Sequence, residues 1–219
     1  SIEMHEFLAA FPDKTDELRY YLTAIAPETK DADFTWKGFQ TANKSELVDI
    51  LRNSINRIVT LTHKFYDGSV PMPDAFQATE ETLKGTICEQ VQTVHKLLEN
   101  YRFRDAQFEM MNLARAGNKY LADLEPWKLN KTDAVRTRTI MYCGLQLGAH
   151  LAHLMQYFMP RKAAELFEML KIQPTIPHAE TFEYLSAGHT LGEATLLFRP
   201  IEDEKIDAQI TLLQQRVKP

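Results

Sequence analysis

The chain has 219 residues, of which 44% are hydrophobic and 25% charged, and its formal net charge at pH 7 is −5. This length allows one large domain, or one domain with part of another. No apolar run approaches the roughly 20 residues that a membrane helix needs, and the negative charge argues against a general nucleic-acid binder. We therefore expect neither a membrane nor DNA as a partner.

The N-terminal region predicts short helices near residues 3–10 and 15–25, with breaks at Pro12 and Pro27. Residues 28–42, rich in Asp and Thr, predict a connector. The first residues lack the basic and apolar blocks of a secretory signal. Because the chain opens on a helical pattern without an initiator methionine, we interpret Ser1 as a cut in a longer chain.

Helical periodicity dominates the rest of the chain. A long helix is predicted from about Lys44 to Tyr66, where Asp67 and Gly68 form a C-cap signal. Further helices are predicted at about residues 74–99, 103–124, 132–158, 161–170 and 201–216, with a loop over 171–200. The short connections favour antiparallel neighbours, so the sequence predicts an all-α helical bundle.

Metal-binding and catalytic groupings are not indicated. Cys88 and Cys143 lie far apart without zinc-ligand spacing, which predicts reduced, buried thiols and a cytoplasmic protein. His150 and His153 lie three residues apart on one predicted helix, but no carboxylate stands at a matching offset. We expect a core or half-buried histidine pair and assign no metal ligand and no catalytic residue.

Asn53 and Arg57 lie on a narrow polar stripe of the long predicted helix. They are four residues apart, and therefore neighbours, with apolar side chains on the opposite side. An amide beside a guanidinium offers both donors and acceptors, which suits the edge of an unpaired base. The alternative, a solvated helix face, stays open at this point.

Trp127 follows Pro126 at the end of a predicted helix. Glu125 precedes proline and is pushed away from α geometry, so the helix is predicted to end there. Pro126 fixes its own φ and limits how far the indole can swing. Trp127 is therefore either a core plug that seals a helix end or a flat surface on which a base can stack.

Three motifs resemble the methionyl-tRNA synthetases, which are class I aminoacyl-tRNA synthetases: NSINR (53–57), AGNKY (116–120) and EPWKL (125–129). Further matches extend the resemblance in order over essentially the whole chain: LRYYL (18–22), DFTW (33–36), FYDG (65–68) and GHTLGEATLLFRPIEDEKI (188–206). The resemblance implies an α-helical anticodon-binding domain with a C-terminal return helix in residues 43–219. Residues 1–42 would be the end of the catalytic half with its stem-contact connector.

By position, the resemblance implies that Asn53, Arg57 and Trp127, with Pro126 holding the indole, bind the CAU anticodon of tRNA(Met). Trp127 would stack on the anticodon cytosine while the polar pair reads base edges. Stacking is worth roughly 1–3 kcal/mol per base, but every base has a π-face, so the polar pair must supply the discrimination.

Two positions depart from the family pattern. Arg52 stands where many relatives have a glycine, and the sequence assigns it no role. Phe198-Arg199-Pro200 replaces the usual Phe-Pro-Arg order, which puts a carried-over role for Arg199 in doubt.

The resemblance implies a parent enzyme that joins methionine to tRNA(Met) with ATP and holds zinc in its catalytic half. No KMSKS-type or HIGH-type motif and no zinc-knuckle cysteines occur in the 219 residues, so we expect this fragment to be inactive alone and to hold no cofactor. The dimerising extension of many bacterial relatives is absent too, so a homodimeric parent would need a segment beyond Pro219, which we interpret as a second cut.

Two alternatives stay open. The anticodon domain of a related synthetase, for leucine, valine, isoleucine or cysteine, would share the bundle but is not expected to combine NSINR with EPW. A helical scaffold that binds protein through the Trp127 region would suit the acidic net charge. Residues 95–140, with nine basic against six acidic side chains, are where a polyanion is expected to bind.

Overall fold

The computed structural model describes residues 2–26 and 33–217, so the predicted break at Pro27 and the interpreted cuts at Ser1 and Pro219 lie outside the described residues. The described residues form helices joined by turns, with an isolated bridge between Ser69 and Thr190 in place of strands. This confirms the all-α class. The helices are α1 (Met4–Ala10), α2 (Thr15–Ala24), α3 (Trp36–Ala42), a π-helical segment (Asn43–Arg52), α4 (Asn53–Tyr66), α5 (Ala78–Glu99), α6 (Phe103–Leu124), α7 (Pro126–Leu129), α8 (Ala134–Met155), α9 (Pro160–Leu170) and α10 (Asp203–Val217). None of these helices is long and apolar enough to cross a membrane.

A continuous helical rod runs from α3 through the π-helical segment into α4. The prediction of a connector up to residue 42 is therefore wrong for residues 36–42. Thr35 caps the rod by accepting from the N–H of Gly38 at 3.0 Å, and the buried Trp36 and Phe39 hold its first turn. The Asp and Thr content of residues 28–42 gave no sign that Trp36 and Phe39 are buried by residues distant in the sequence.

The predicted end of the rod is confirmed. Asp67 adopts a left-handed conformation with φ 55°, and Gly68 follows with φ 81°. Both conformations are typical of a helix C-terminus. Elsewhere the helix limits move by a few residues: α5 begins at Ala78, not 74, and α8 ends at Met155, not 158.

The main core surrounds α8. Every residue from 139 to 155 is buried, as expected for a helix that is covered on all sides. α4, α5, α6 and α9 pack against it. Five methionines are buried in this core: Met110, Met111, Met155, Met159 and Met169.

The histidine pair is part of this core. His150 and His153 are buried, which confirms the core interpretation. The ring of His150 hydrogen-bonds the carbonyl of Phe182 at 3.0 Å, and the ring of His153 stacks on Tyr184 at 4.1 Å between centroids. Burial lowers the pKa of His150 to about 4, so its imidazole is neutral at pH 7. In residues 2–26 and 33–217, no three His, Cys, Asp or Glu side chains are grouped as metal ligands.

A second cluster joins the N-terminal helices to α10. Phe7, Phe11, Trp36 and Phe39 pack together there, and Ile206 of α10 is buried among them. The C-terminal helix thus returns to the beginning of the chain. The domain boundary between residues 42 and 43 falls inside the rod and stays a prediction. The two cysteines are unbonded: Cys143 is buried, as predicted, while Cys88 is only partly so.

Candidate nucleic-acid interface

Trp127 lies on α7, a one-turn helix that directly follows α6. Glu125 ends α6 with a left-handed backbone (φ 45°, ψ 59°), because α geometry is disfavoured before proline. Pro126 takes the first position of α7, where its missing N–H costs no hydrogen bond. The Glu125 carbonyl accepts from the N–H groups of Lys128 and Leu129 at 2.9 and 3.0 Å. The predicted break is confirmed, but helical geometry resumes at once and gives Trp127 a defined position.

The indole of Trp127 is half-buried. Part of it packs against the main core, and its neighbour Pro126 is buried. The guanidinium carbon of Arg57, on α4, lies over the ring at 5.0 Å from its centroid. Such a cation–π contact is worth about 0.5–1 kcal/mol at an exposed site. The indole is therefore not a fully buried plug, and its use as a platform for a base stays a prediction.

The structure brings the four predicted site residues together. Arg57 contacts Trp127 directly, Asn53 lies one helical turn before Arg57, and Pro126 immediately precedes Trp127. Asn53 and Arg57 are both half-buried, so the stripe predicted from helical periodicity is not simply a solvated face. A contact of these residues with RNA stays a prediction.

Asn118 belongs to the same surface, although sequence reasoning did not single it out. Gly117 allows α6 to approach α4 closely, since a Cβ there would lie 2.9 Å from Ser54 Oγ. Asn118 can then donate from Nδ2 to the carbonyl of Ile50 at 3.0 Å. Its Oδ1 accepts a long hydrogen bond, 3.4 Å, from Asn53 Nδ2. A glycine inside a helical pattern was the available signal for this close approach.

The contacts of Asn118 determine which end of the Asn53 amide turns towards Asn118 and which turns away. The Ile50 carbonyl can only accept, so Asn118 must turn its NH₂ group to it and its oxygen to Asn53. Asn53 must then turn its own NH₂ group to Asn118. Asn53 Oδ1 has no donor among the described residues and is not buried. The surface therefore presents an acceptor from Asn53 beside the donors of Arg57.

The cations of residues 95–140 form a weaker field than their number suggests. Five of the nine are engaged in ion pairs: Arg102 and Arg104 with Asp105, Lys119 with Asp123 at 2.7 Å, Lys128 with Glu125 at 2.9 Å, and Arg136 with Glu80. These pairs neutralise much of the local positive charge. A polyanion would have to be held here by directed contacts more than by a bulk field.

Arg52, to which the sequence assigned no role, contacts the C-terminal loop. Its Nη1 donates to the carbonyl of Phe198 at 3.0 Å, and Asn43 donates to the carbonyl of Arg199 at 2.8 Å. The two contacts fasten the C-terminal loop to the rod. The side chain of Arg199 is exposed, and only its carbonyl takes part. The described contact of Arg52 is therefore with the C-terminal loop and not with the surface around Trp127.

Two family models match the chain in succession. Residues 70–214 match the anticodon binding domain of methionyl tRNA ligase, and residues 1–59 match the tRNA synthetases class I (M). The methionine–tRNA ligases of Christiangramia forsetii and Phocaeicola vulgatus are 46% and 49% identical to this chain over 98% and 97% of its length. The chain spans 32% of each of these relatives.

Solved structures agree on the fold. The apo form of Mycobacterium tuberculosis methionyl-tRNA synthetase matches with a TM-score of 0.77 and 23% identity, over 85% of this chain and 39% of that chain. The bundle is therefore of the type found in class I aminoacyl-tRNA synthetases. The chain belongs to the methionyl-tRNA ligase family, with residues 70–214 as an anticodon-binding domain. This membership sets aside the related synthetases for leucine, valine, isoleucine and cysteine.

Proposed function

We propose that this protein reads the CAU anticodon of tRNA(Met), with Asn53, Arg57 and Trp127 as its contact residues. The observation that carries the proposal is the contact of Arg57 with the indole of Trp127, one turn from the Asn53 oxygen that accepts from no described residue. A flat aromatic ring beside one acceptor and several donors is what single-stranded RNA recognition requires.

The polarity of the surface favours cytosine. The Watson–Crick edge of cytosine presents one amino donor beside two acceptors, and Asn53 Oδ1 with the Arg57 guanidinium offers one acceptor beside donors. Uracil has an oxygen where cytosine has its amino group, so two acceptors would face each other. An unpaired polar group costs about 1–3 kcal/mol, which corresponds to a preference of about 5- to 150-fold.

Stacking requires an exchange on the indole. Arg57 lies over a face of the Trp127 ring, so a base that stacks on that face takes the place of the guanidinium. The cation–π contact is worth about 0.5–1 kcal/mol and base stacking about 1–3 kcal/mol, so the exchange is favourable. The displaced guanidinium is then available for the edge of the same base.

The complete enzyme, of which this chain covers a part, would join methionine to tRNA(Met) in the cytoplasm using ATP. Its ATP and zinc would be bound by segments other than these 219 residues, and this chain alone would not charge tRNA. A homodimer would likewise depend on a further C-terminal extension. These statements extend the family membership to the parent protein and are proposals.

Anticodon recognition can be tested by titrating the 219-residue chain with RNA hairpins that share one stem and differ in their loop sequence. Fluorescence anisotropy at low salt should give about 5- to 150-fold tighter binding of a CAU hairpin than of a UAU hairpin. A hairpin with the anticodon order reversed is the control for charge alone. Equal affinity for all three hairpins, or no binding to any, would contradict the proposal.

A further inference from the structure

One buried carboxylate joins the two helices that flank the tryptophan-bearing turn. Glu80 lies in the first turn of α5 and is fully buried. Tyr120, near the end of α6, donates its hydroxyl to Glu80 Oε2 at 3.1 Å. Arg136, in the first turn of α8, donates to both carboxylate oxygens, with Nη2 2.7 Å from Oε2. Because α7 connects α6 to α8, both ends of the segment carrying Trp127 are tied to one side chain.

The Glu80 carboxylate is fully partnered. The hydroxyl of Thr79 donates to it at 2.6 Å and the N–H of Gln77 at 3.0 Å, in addition to Tyr120 and Arg136. Burial alone would raise the pKa of Glu80, but hydrogen bonds from Arg136, Thr79 and Gln77 lower it to about 2. The group is therefore ionised at neutral pH. Two parallel bonds between a guanidinium and a carboxylate fix an angle as well as a distance.

The buried pair of Glu80 and Arg136 is better explained by the positioning of helices than by a gain in folding stability. Taking two charges out of water costs about as much as their attraction returns, so a buried ion pair is weak evidence for stability. Apolar packing would tolerate a small rotation of α7, whereas hydrogen bonds from α6 and α8 to one carboxylate would not. A rotation of α7 would disturb the surface around Trp127, because Arg57 contacts the indole from a different helix.

We propose that Glu80 is a positioning residue of the anticodon site: acting through Tyr120 and Arg136, it holds α7 so that Trp127 faces Arg57. The inference rests on the proposed function. The side chains of Glu80, Tyr120 and Arg136 are almost entirely covered by protein, so they are not proposed as base contacts. Their loss should therefore change how well the surface discriminates between bases.

Two tyrosines allow a matched test. Tyr120 and Tyr20 are both buried, and each donates its hydroxyl to a glutamate carboxylate, at 3.1 Å to Glu80 and at 3.0 Å to Glu46. Tyr120→Phe and Tyr20→Phe thus remove the same group, but only the first lies in the Glu80 network. In the 219-residue chain, Tyr120→Phe should reduce the preference for a CAU over a UAU hairpin by about tenfold, as expected for a small misplacement of contact groups. It should also shift the indole N–H resonance of Trp127 in the absence of RNA.

The outcomes separate this inference from the function on which it rests. If Trp127→Ala leaves hairpin binding unchanged, the proposed function fails. If Trp127→Ala weakens binding but Tyr120→Phe behaves like Tyr20→Phe in both readouts, the positioning role of Glu80 is wrong and the function stands. Glu80→Gln removes the charge at the centre of the network; should it not fold, the tyrosine pair still decides the question.

Discussion

Replacing Trp127 with alanine is expected to weaken binding of a CAU hairpin by about 5- to 150-fold, because stacking on an aromatic side chain is worth about 1–3 kcal/mol per base. Helix content should stay unchanged, since α7 is a single turn and the helices on either side of it have their own core contacts. Fluorescence anisotropy gives the affinity and circular dichroism the helix content.

Tyr101→Ala is the control for this substitution. Tyr101 is an aromatic side chain with 81% of its surface exposed, at the turn between α5 and α6. Its removal should leave hairpin affinity within about twofold of the wild type, as is usual for exposed positions away from a site. Equal losses in the two variants, or no loss in Trp127→Ala, would mean that the indole is not the stacking surface.

Replacing Arg57 with alanine is expected to reduce the preference for CAU over other anticodons by about tenfold or more. Hydrogen bonds from a charged donor are worth about 1.5–3 kcal/mol each, and those to the base edge would be lost. Stacking on Trp127 would remain, but it accepts every base. Competition between CAU hairpins and hairpins with a swapped anticodon measures the preference directly.

Lys64→Ala supplies the matched control, because it removes one positive charge from the same helix. Lys64 is exposed, and its Nζ lies 5.9 Å from the ring centroid of Phe65, well along α4 from Arg57. Loss of this charge should weaken all hairpins alike and leave their ranking intact. If Arg57→Ala also weakened every hairpin equally, Arg57 would contribute only non-specific electrostatic attraction and no base-specific contact.

Local rules predicted much of this architecture from the sequence. The C-cap at Asp67 and Gly68, the break at Pro126, and the shared stripe of Asn53 and Arg57 follow from backbone sterics and helical periodicity. Each of these needs only a few neighbouring residues, and each is seen in the structure.

Contacts between residues far apart in the chain could not be predicted from the sequence. Arg52 donates to a carbonyl 146 residues further along, and Asn118 meets Asn53 across 65 residues. No periodicity signals such partners. The helical geometry of residues 36–42 was missed for a related reason: its first turn depends on the burial of Trp36 in the second cluster.

The two tryptophans of the chain allow a direct measurement of whether a base of the anticodon stacks on Trp127. Trp36 is buried in the second cluster, so its indole N–H resonance serves as an internal reference. Titration with a CAU hairpin in an NMR experiment should shift the Trp127 indole resonance and leave that of Trp36 in place. A reversed-loop hairpin should shift the Trp127 resonance only at higher RNA concentration, because stacking accepts every base but the polar pair does not. A hairpin that binds while the Trp127 resonance stays unmoved would show that no base stacks on this indole.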